Sequence, residues 1–362
     1  MLVERAEIFR RHGPESRATC GARLLPSHRR ALQASEPCRT EALGGQLSQC
    51  ASCQEAHDSD PSGKNRHGPT GQNDQAEPWL AHQQRLLVPV THFLLTFTRP
   101  EALRVVARAH QQTIDTSLLR RAAEALQALA WDPRFGGGRV GMGGGLHTWT
   151  RDLRYHPHGH SRVTGGGLAT DDTWRPSRPD FLVPVKALSV LFRATVRDAL
   201  NKPALFSLVD AHGWHKDWVV HGEPVARGQE ALRSLAPSIF RVAISTNRIL
   251  TLTEGEVPFQ SKASATDQGK TSPVPAEECL RRFLQHVLPD RCVTVRYDGV
   301  LSPSHRPRLT QARPWLGSRV VATTTSGTGG AVKDPTAAPR CPRCGSTLIL
   351  VQTRRPMGRL PP

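Results

Sequence analysis

The chain has 362 residues and a net charge of +17, with 48 Lys and Arg against 31 Asp and Glu, so it is long enough for two domains and strongly basic. A surface of that sign suits a polyanion, with nucleic acid ahead of an anionic membrane. No apolar run approaches the roughly 18 residues of a membrane helix, and residues 1–5 lack the apolar stretch of a secretory leader; a cytoplasmic, nucleoid-associated protein with reduced thiols is expected.

A hydrophobic share of 38%, with 30 Gly and 29 Pro, predicts a modest core and much loop. Residues 1–80 are polar and carry Cys and His. Short helices are predicted over 4–12, ending at Gly13-Pro14, and over 27–34. So few apolar residues need a staple to fold. Cys50-Ala51-Ser52-Cys53 has zinc-knuckle spacing, Cys38 lies upstream, and His57 and His67 are further donors.

Residues 85–315 read as the main domain. Residues 91–98 are aromatic and β-branched, hence strand. Residues 100–130 read as helix, with apolar positions 118, 119, 122, 123, 126, 129 and 130 on one stripe. Glycine runs at 136–138 and 143–145 are expected to break the chain. Strands are predicted over 146–153 and 158–163, paired antiparallel, and over 218–221. Helices are predicted over 184–200, 230–240 and 275–287, an extended segment from 242, and a strand over 293–297. Residues 316–362 form a Thr/Gly/Pro-rich linker and a tail with Cys341-Pro342-Arg343-Cys344. That pair is either a truncated ribbon or the completion of a site with Cys50 and Cys53. No repeat of fixed period occurs.

The most informative stretch is Tyr155-His156-Pro157-His158-Gly159-His160, followed by a glycine stop at 165–167. On a strand, side chains alternate faces, so His158 and His160 point the same way about 7 Å apart. Two imidazoles on one rigid face can hold a divalent metal. His147, in the neighbouring predicted strand, and His156 are candidates for a third ligand. Gly159 between the two histidines weakens the strand by roughly 1 kcal/mol.

The flanking blocks extend this reading. Leu146-His147-Thr148-Trp149, Phe181-Leu182-Val183-Pro184, Arg241-Val242-Ala243-Ile244-Ser245 and Arg281-Arg282-Phe283-Leu284 occur in that order. Together with the histidines they resemble the IS91 insertion-sequence family of rolling-circle transposases, the two-tyrosine HUH endonucleases, from about Ile8 to about Leu309. The resemblance implies an α+β fold: a central antiparallel sheet flanked by helices, HUH endonuclease-like, preceded by a small zinc-ribbon-like module. It implies single-stranded DNA at transposon ends as partner, a divalent Mg or Mn ion on the histidines, and zinc on the cysteines. It also implies nicking by tyrosines four residues apart on one helix face.

Here the sequence departs from the family. Ser234 and Ser238 stand at the tyrosine positions, and Tyr155 and Tyr297 are the two tyrosines of the chain. Glycines 63, 68 and 71 stand where the family has cysteines. Three readings stay open: cleavage is lost, Tyr155 acts instead, or a serine attacks with a base such as His221. The rival from another class is a non-catalytic DNA-binding remnant. Arg151, Arg154, Arg162, Arg241 and Arg248 are candidates for phosphate contacts, and Trp149 and Trp174 for base stacking.

Overall fold

The computed structural model describes residues 5–21, 24–38, 40–59, 73–201, 204–216, 218–225, 228–240, 243–262, 269–316 and 339–356. The chain opens with helices α1 (Arg5–Cys20) and α2 (Pro26–Ser35), the hairpin β1 (Gly45–Cys50) and β2 (Ala56–Ser59), and helix α3 (Asn73–Arg85). Strand β3 (His92–Thr98) leads to helices α4 (Arg104–Ala109) and α5 (Gln111–Ala130). The long hairpin β4 (Arg139–Trp149) and β5 (Tyr155–Leu168) follows, then β6 (Trp174–Pro176) and helix α6 (Val185–Asn201). Next come α7 (Ala211–His215), β7 (Val219–Val225) and α8 (Gly228–Phe240). The remainder is β8 (Phe259–Lys262), β9 (Gly269–Ser272), α9 (Ala276–Leu284), β10 (Val295–Gly299), α10 (Arg306–Leu316) and β11 (Leu348–Arg354).

The central sheet is antiparallel, in the order β10-β4-β5-β3-β7, with β6 also paired to β5. Helices α5 and α6 cover one face. Phe93, Leu95 and Phe97 of β3 meet Leu118, Leu119 and Leu126 of α5 and Phe192 of α6 there. The α+β expectation, helices flanking an antiparallel sheet, holds. A second core joins Ile8, Phe9 and Leu32 to Ile244, Phe259 and Phe283. A separate three-stranded sheet, order β11-β1-β2, carries Cys50 at the end of β1, with Cys53, Cys341 and Cys344 outside its strands.

Several local expectations differ from the structure. Helix α1 runs through Gly13 and Pro14 to Cys20. Its buried face packs Phe9 edge-on against Phe283 of α9, with ring centroids 5.0 Å apart, and tertiary burial carries the helix past the proline. The helix predicted over 100–130 is two helices meeting at His110, whose φ of −126° is not helical. Arg108 Nη1 and Gln111 Nε2, flanking that joint, both donate to the Gln285 carbonyl at 3.0 and 3.1 Å.

The glycine runs 143–145 and 165–167 lie inside strands rather than ending them. Close neighbours fill the space their side chains would need. A Cβ on Gly144 would lie 3.0 Å from Leu119 Cδ2, and one on Gly143 3.3 Å from the Tyr297 ring. One on Gly165 would lie 2.5 Å from the Thr91 carbonyl oxygen. The segment expected to extend from 242 instead bends, burying Ala243 and Ile244 in the second core; Val242 itself lies outside the described residues.

Candidate metal centre and the helix across it

His158 and His160 share the strand face predicted from their spacing, and the neighbouring strand adds His147. The register pairs His147 with His158, so both side chains leave the sheet on the same side. The ligand atoms of His147, His158 and His160 all lie within 4.8 Å of one another. His147 Nδ1 and His158 Nε2 are 3.0 Å apart. His156 is outside the group; its carbonyl is 2.6 Å from His158 Nδ1 and accepts the N–H there, which leaves the lone pair of the neutral His158 ring on Nε2, toward His147. Thr96 Oγ1 lies 3.1 Å from His160 Nδ1 and holds that ring by a hydrogen bond. Sequence reading did not single out Thr96. The signal was its place in the strand that pairs with β5, where it lies opposite His160.

Burial sets the protonation state. It pushes His158 down to about 4 and His147 to about 2, with the neighbouring imidazoles adding to the shift on His147. His160 is lowered for the same first reason. All three are neutral at physiological pH, the form in which imidazole ligates a metal.

Gly159 faces away from the metal group, into the core under α5. A Cβ there would sit 2.8 Å from Leu118 Cδ2 and 2.9 Å from Leu119 Cδ2. The two leucines therefore occupy the volume a larger side chain would take. Tyr155, on that same side, is buried and its hydroxyl donates to Asp115 of α5. Asp115 also accepts from Arg99 Nη2 at 2.6 Å. Burial and the adjacent carboxylate push the Tyr155 phenol well above its usual range. This hydroxyl is committed inside the core and turned from the histidines, so Tyr155 is not a nucleophile for them.

Helix α8 crosses the histidine face. Gly145, paired with His160, would have its Cβ 2.8 Å from Ile239 Cγ1 and 3.9 Å from Leu235 Cδ1. Leu235 and Ile239, one turn apart, are the stripe that meets the sheet. Ser234 is one residue earlier, about 100° around the helix, and is exposed. Ser238 lies on the same helix, but its side chain is outside the described residues. His221 lies on the histidine face two strands from His160, through Thr96, and is exposed, apart from the metal group. Tyr297 also lies on this face, and its hydroxyl accepts from Trp79 Nε1 at 3.0 Å.

The arginines separate by burial. Arg162 is 1% exposed, and its Nη1 is 3.0 Å from His92 Nε2. Burial lowers its guanidinium to about 10, so it stays charged at neutral pH. The expected phosphate contact by Arg162 is therefore corrected: no phosphate reaches a side chain enclosed between sheet and helix. Arg248 spends its donors on the carbonyls of Gln260 at 2.9 Å, Ala243 at 3.2 Å and Arg151, which pins a loop. Arg151 and Arg154 are exposed, Arg154 paired to Asp152 at 2.6 Å. Arg241 lies outside the described residues. Trp149 packs on His147 with centroids 3.9 Å apart, and Trp174 packs on a small core with Leu168 and Val300, so both pack rather than stand free to stack on bases.

The cysteines form a second group. Cys50, Cys53, Cys341 and Cys344 bring their sulfurs within 4.8 Å of one another. Four soft thiolates suit zinc. Cys38 is not among them; it is fully buried, and its carbonyl accepts from Arg10 Nη1 at 3.1 Å. His67 lies outside the described residues. His57 Nε2 is 3.3 Å from Cys341 Sγ, beside the four.

Two family models match the chain. Residues 141–308 match the family described as "Putative transposase", and residues 8–99 match the "Transposase zinc-binding domain". The chain is 35% identical over 341 residues to "Putative transposase y4qJ" of Sinorhizobium fredii, covering 88% of this chain and 85% of that protein. It is 26% identical over 245 residues to the "Transposase for insertion sequence element IS801" of Pseudomonas savastanoi pv. phaseolicola, covering 62% of this chain and 58% of that one. No solved structure matches. Among the described residues no helix is long and apolar enough to cross a membrane. By the extent of the first match and the pair of family domains, the chain belongs to the IS91-like family of transposases.

Proposed function

We propose that this transposase is of the rolling-circle type, binds single-stranded DNA at transposon ends, and is impaired in cleaving it. The observation that carries the reading is one sheet face with three convergent neutral imidazoles, crossed by a helix that presents serine where a tyrosine nucleophile is needed. His147, His158 and His160 would hold a divalent ion such as Mg or Mn, which would supply charge to polarise a scissile phosphate. The chain's own residues prepare the site. The His156 carbonyl and Thr96 orient two of the rings, and Leu235 and Ile239 seat α8 against the same face. Ser234 is exposed at its edge. A serine hydroxyl is a much weaker acid than a phenol near 10, so it is a poor nucleophile without a strong base. The basic charge of +17 suits phosphate neutralisation, with Arg151 and Arg154 as exposed candidates.

The test incubates the full chain with single-stranded DNA carrying the element's ends and Mn²⁺, and looks for a covalent protein–DNA adduct. The expected result is salt-dependent DNA retention without adduct, and adduct formation in S234Y/S238Y. An adduct from the unmodified chain overturns the impairment. No adduct from S234Y/S238Y, despite retained DNA, favours a DNA-binding remnant over a repairable nuclease.

A further inference from the structure

We infer that the zinc site is composite: Cys50 and Cys53 supply one half and Cys341 and Cys344 the other, so one ion ties the two ends of the chain together. The segment matched as zinc-binding, residues 8–99, holds four of the eight cysteines, at 20, 38, 50 and 53. Only Cys50 and Cys53 of these converge; Cys20 is exposed and Cys38 is buried elsewhere. The other two sulfurs come from nearly 300 residues downstream, |i−j| being 294 for Cys50 and Cys344, outside both matched segments.

The two half-sites are built alike. Each is a Cys-x-x-Cys turn whose next residue is left-handed, Gln54 at φ 59° and Gly345 at φ 75°. In each, that residue's N–H donates to the first cysteine's carbonyl: Gln54 to Cys50 at 3.2 Å, Gly345 to Cys341 at 2.8 Å. The N–H groups of Ser52 and Cys53 point at Cys50 Sγ from 3.4 and 3.5 Å, as donors to a thiolate do. The sulfurs of Cys50 and Cys344 are 3.3 Å apart, and Cys53 is 3.7 Å from both Cys341 and Cys344. A tetrahedral ion with Zn–S near 2.3 Å spaces its sulfurs by about 3.8 Å, whereas a disulfide needs about 2.05 Å. The spacing is that of ligands.

The backbone closes the same joint. Ala51 N–H donates to the Thr347 carbonyl at 3.1 Å, and β11 pairs with β1 from Gly45–Arg354 to Cys50–Leu348. Apolar burial does not hold this strand, because Ile349, Leu350 and Val351 are 57%, 53% and 58% exposed. A three-stranded sheet without a core needs another source of stability, and metal binding coupled to folding is that source. His57 and Glu55, which form a second candidate group with Cys341, are the rival donors among the described residues; His57 Nε2 is 3.3 Å from Cys341 Sγ, at hydrogen-bond distance from that sulfur.

The test uses the full-length protein loaded with Co²⁺, whose thiolate-to-metal charge-transfer absorption reads sulfur ligands and is blind to the histidine centre. Its outcome is thus independent of the transposase chemistry. The band is expected to fall to the protein-only background in C341S/C344S and in a chain ended at residue 338, and to survive in C20S, C38S and H57A. A second measurement needs no variant. In the unmodified zinc-loaded chain, alkylation followed by mass spectrometry should label Cys50, Cys53, Cys341 and Cys344 together, and only after chelation. Labelling of Cys341 and Cys344 before chelation, or a full band in the truncated chain, overturns the composite site. Loss of the band in H57A overturns the four-thiolate set.

Discussion

Removing the Tyr155 hydroxyl tests whether it belongs to the core or to catalysis. In Y155F the ring remains, with its stack on His286 and the Arg108 guanidinium 5.7 Å from its centroid, and the hydroxyl's hydrogen bonds with Asp115 and Gln111 are lost. A hydrogen bond to a charged buried group contributes about 1.5–3 kcal/mol. D115A is harsher, because it leaves Arg99, whose side chain is 3% exposed, without its carboxylate; breaking a buried pair this way costs about 3–5 kcal/mol. Once Asp115 is gone the tyrosine hydroxyl has lost its carboxylate acceptor and keeps only Gln111 as a partner, so Y155F should add little to D115A in Y155F/D115A. The coupling should equal most of the Y155F effect. Equilibrium urea unfolding of the three variants measures this. In the S234Y/S238Y background, Y155F should leave adduct formation intact. A Y155F stability within about 0.5 kcal/mol of the parent, or additive single effects, would refute the buried-network account; loss of the adduct in Y155F with stability unchanged would make Tyr155 catalytic.

Other outcomes follow from the same geometry. G159V should cost about 1–3 kcal/mol by overpacking against Leu118 and Leu119, and G159V/L119A should recover part of it; thermal melts that rank the double variant below G159V contradict this. Burial holds His286 at about 4 and His92 at about 3, below the ordinary 6.5. The unfolded chain therefore binds more protons between those values and 6.5, so stability is fully present above about 6.5 and declines as pH falls through that window. His286 alone accounts for about 2 kcal/mol by pH 5, and a melting temperature flat from pH 7 to 5 would speak against it. R162A should destabilise the fold with little change in the salt dependence of DNA binding, whereas R154A should weaken DNA binding and lower that salt dependence at unchanged stability; filter binding across a salt series, beside urea unfolding, separates them.

What local chain geometry dictates was readable without the fold. A period of two puts His158 and His160 on one face whatever surrounds them. The stripe at 118, 119, 122, 123 and 126 buries one side of α5 by its own spacing. Cys-x-x-Cys turns bring two sulfurs together by themselves. Contacts between distant segments were not readable in this way. Whether His147 faces the metal depends on the β4–β5 register. Whether Arg162 meets solvent depends on what covers that face, and whether Gly159 is a defect depends on Leu118 and Leu119 filling its place. Glycine runs that read as breaks became strands because neighbouring chains pack where side chains would have stood. The joining of Cys50 to Cys344 is the extreme case: local periodicity reaches a few residues, while sulfurs 294 positions apart meet only once β11 pairs with β1.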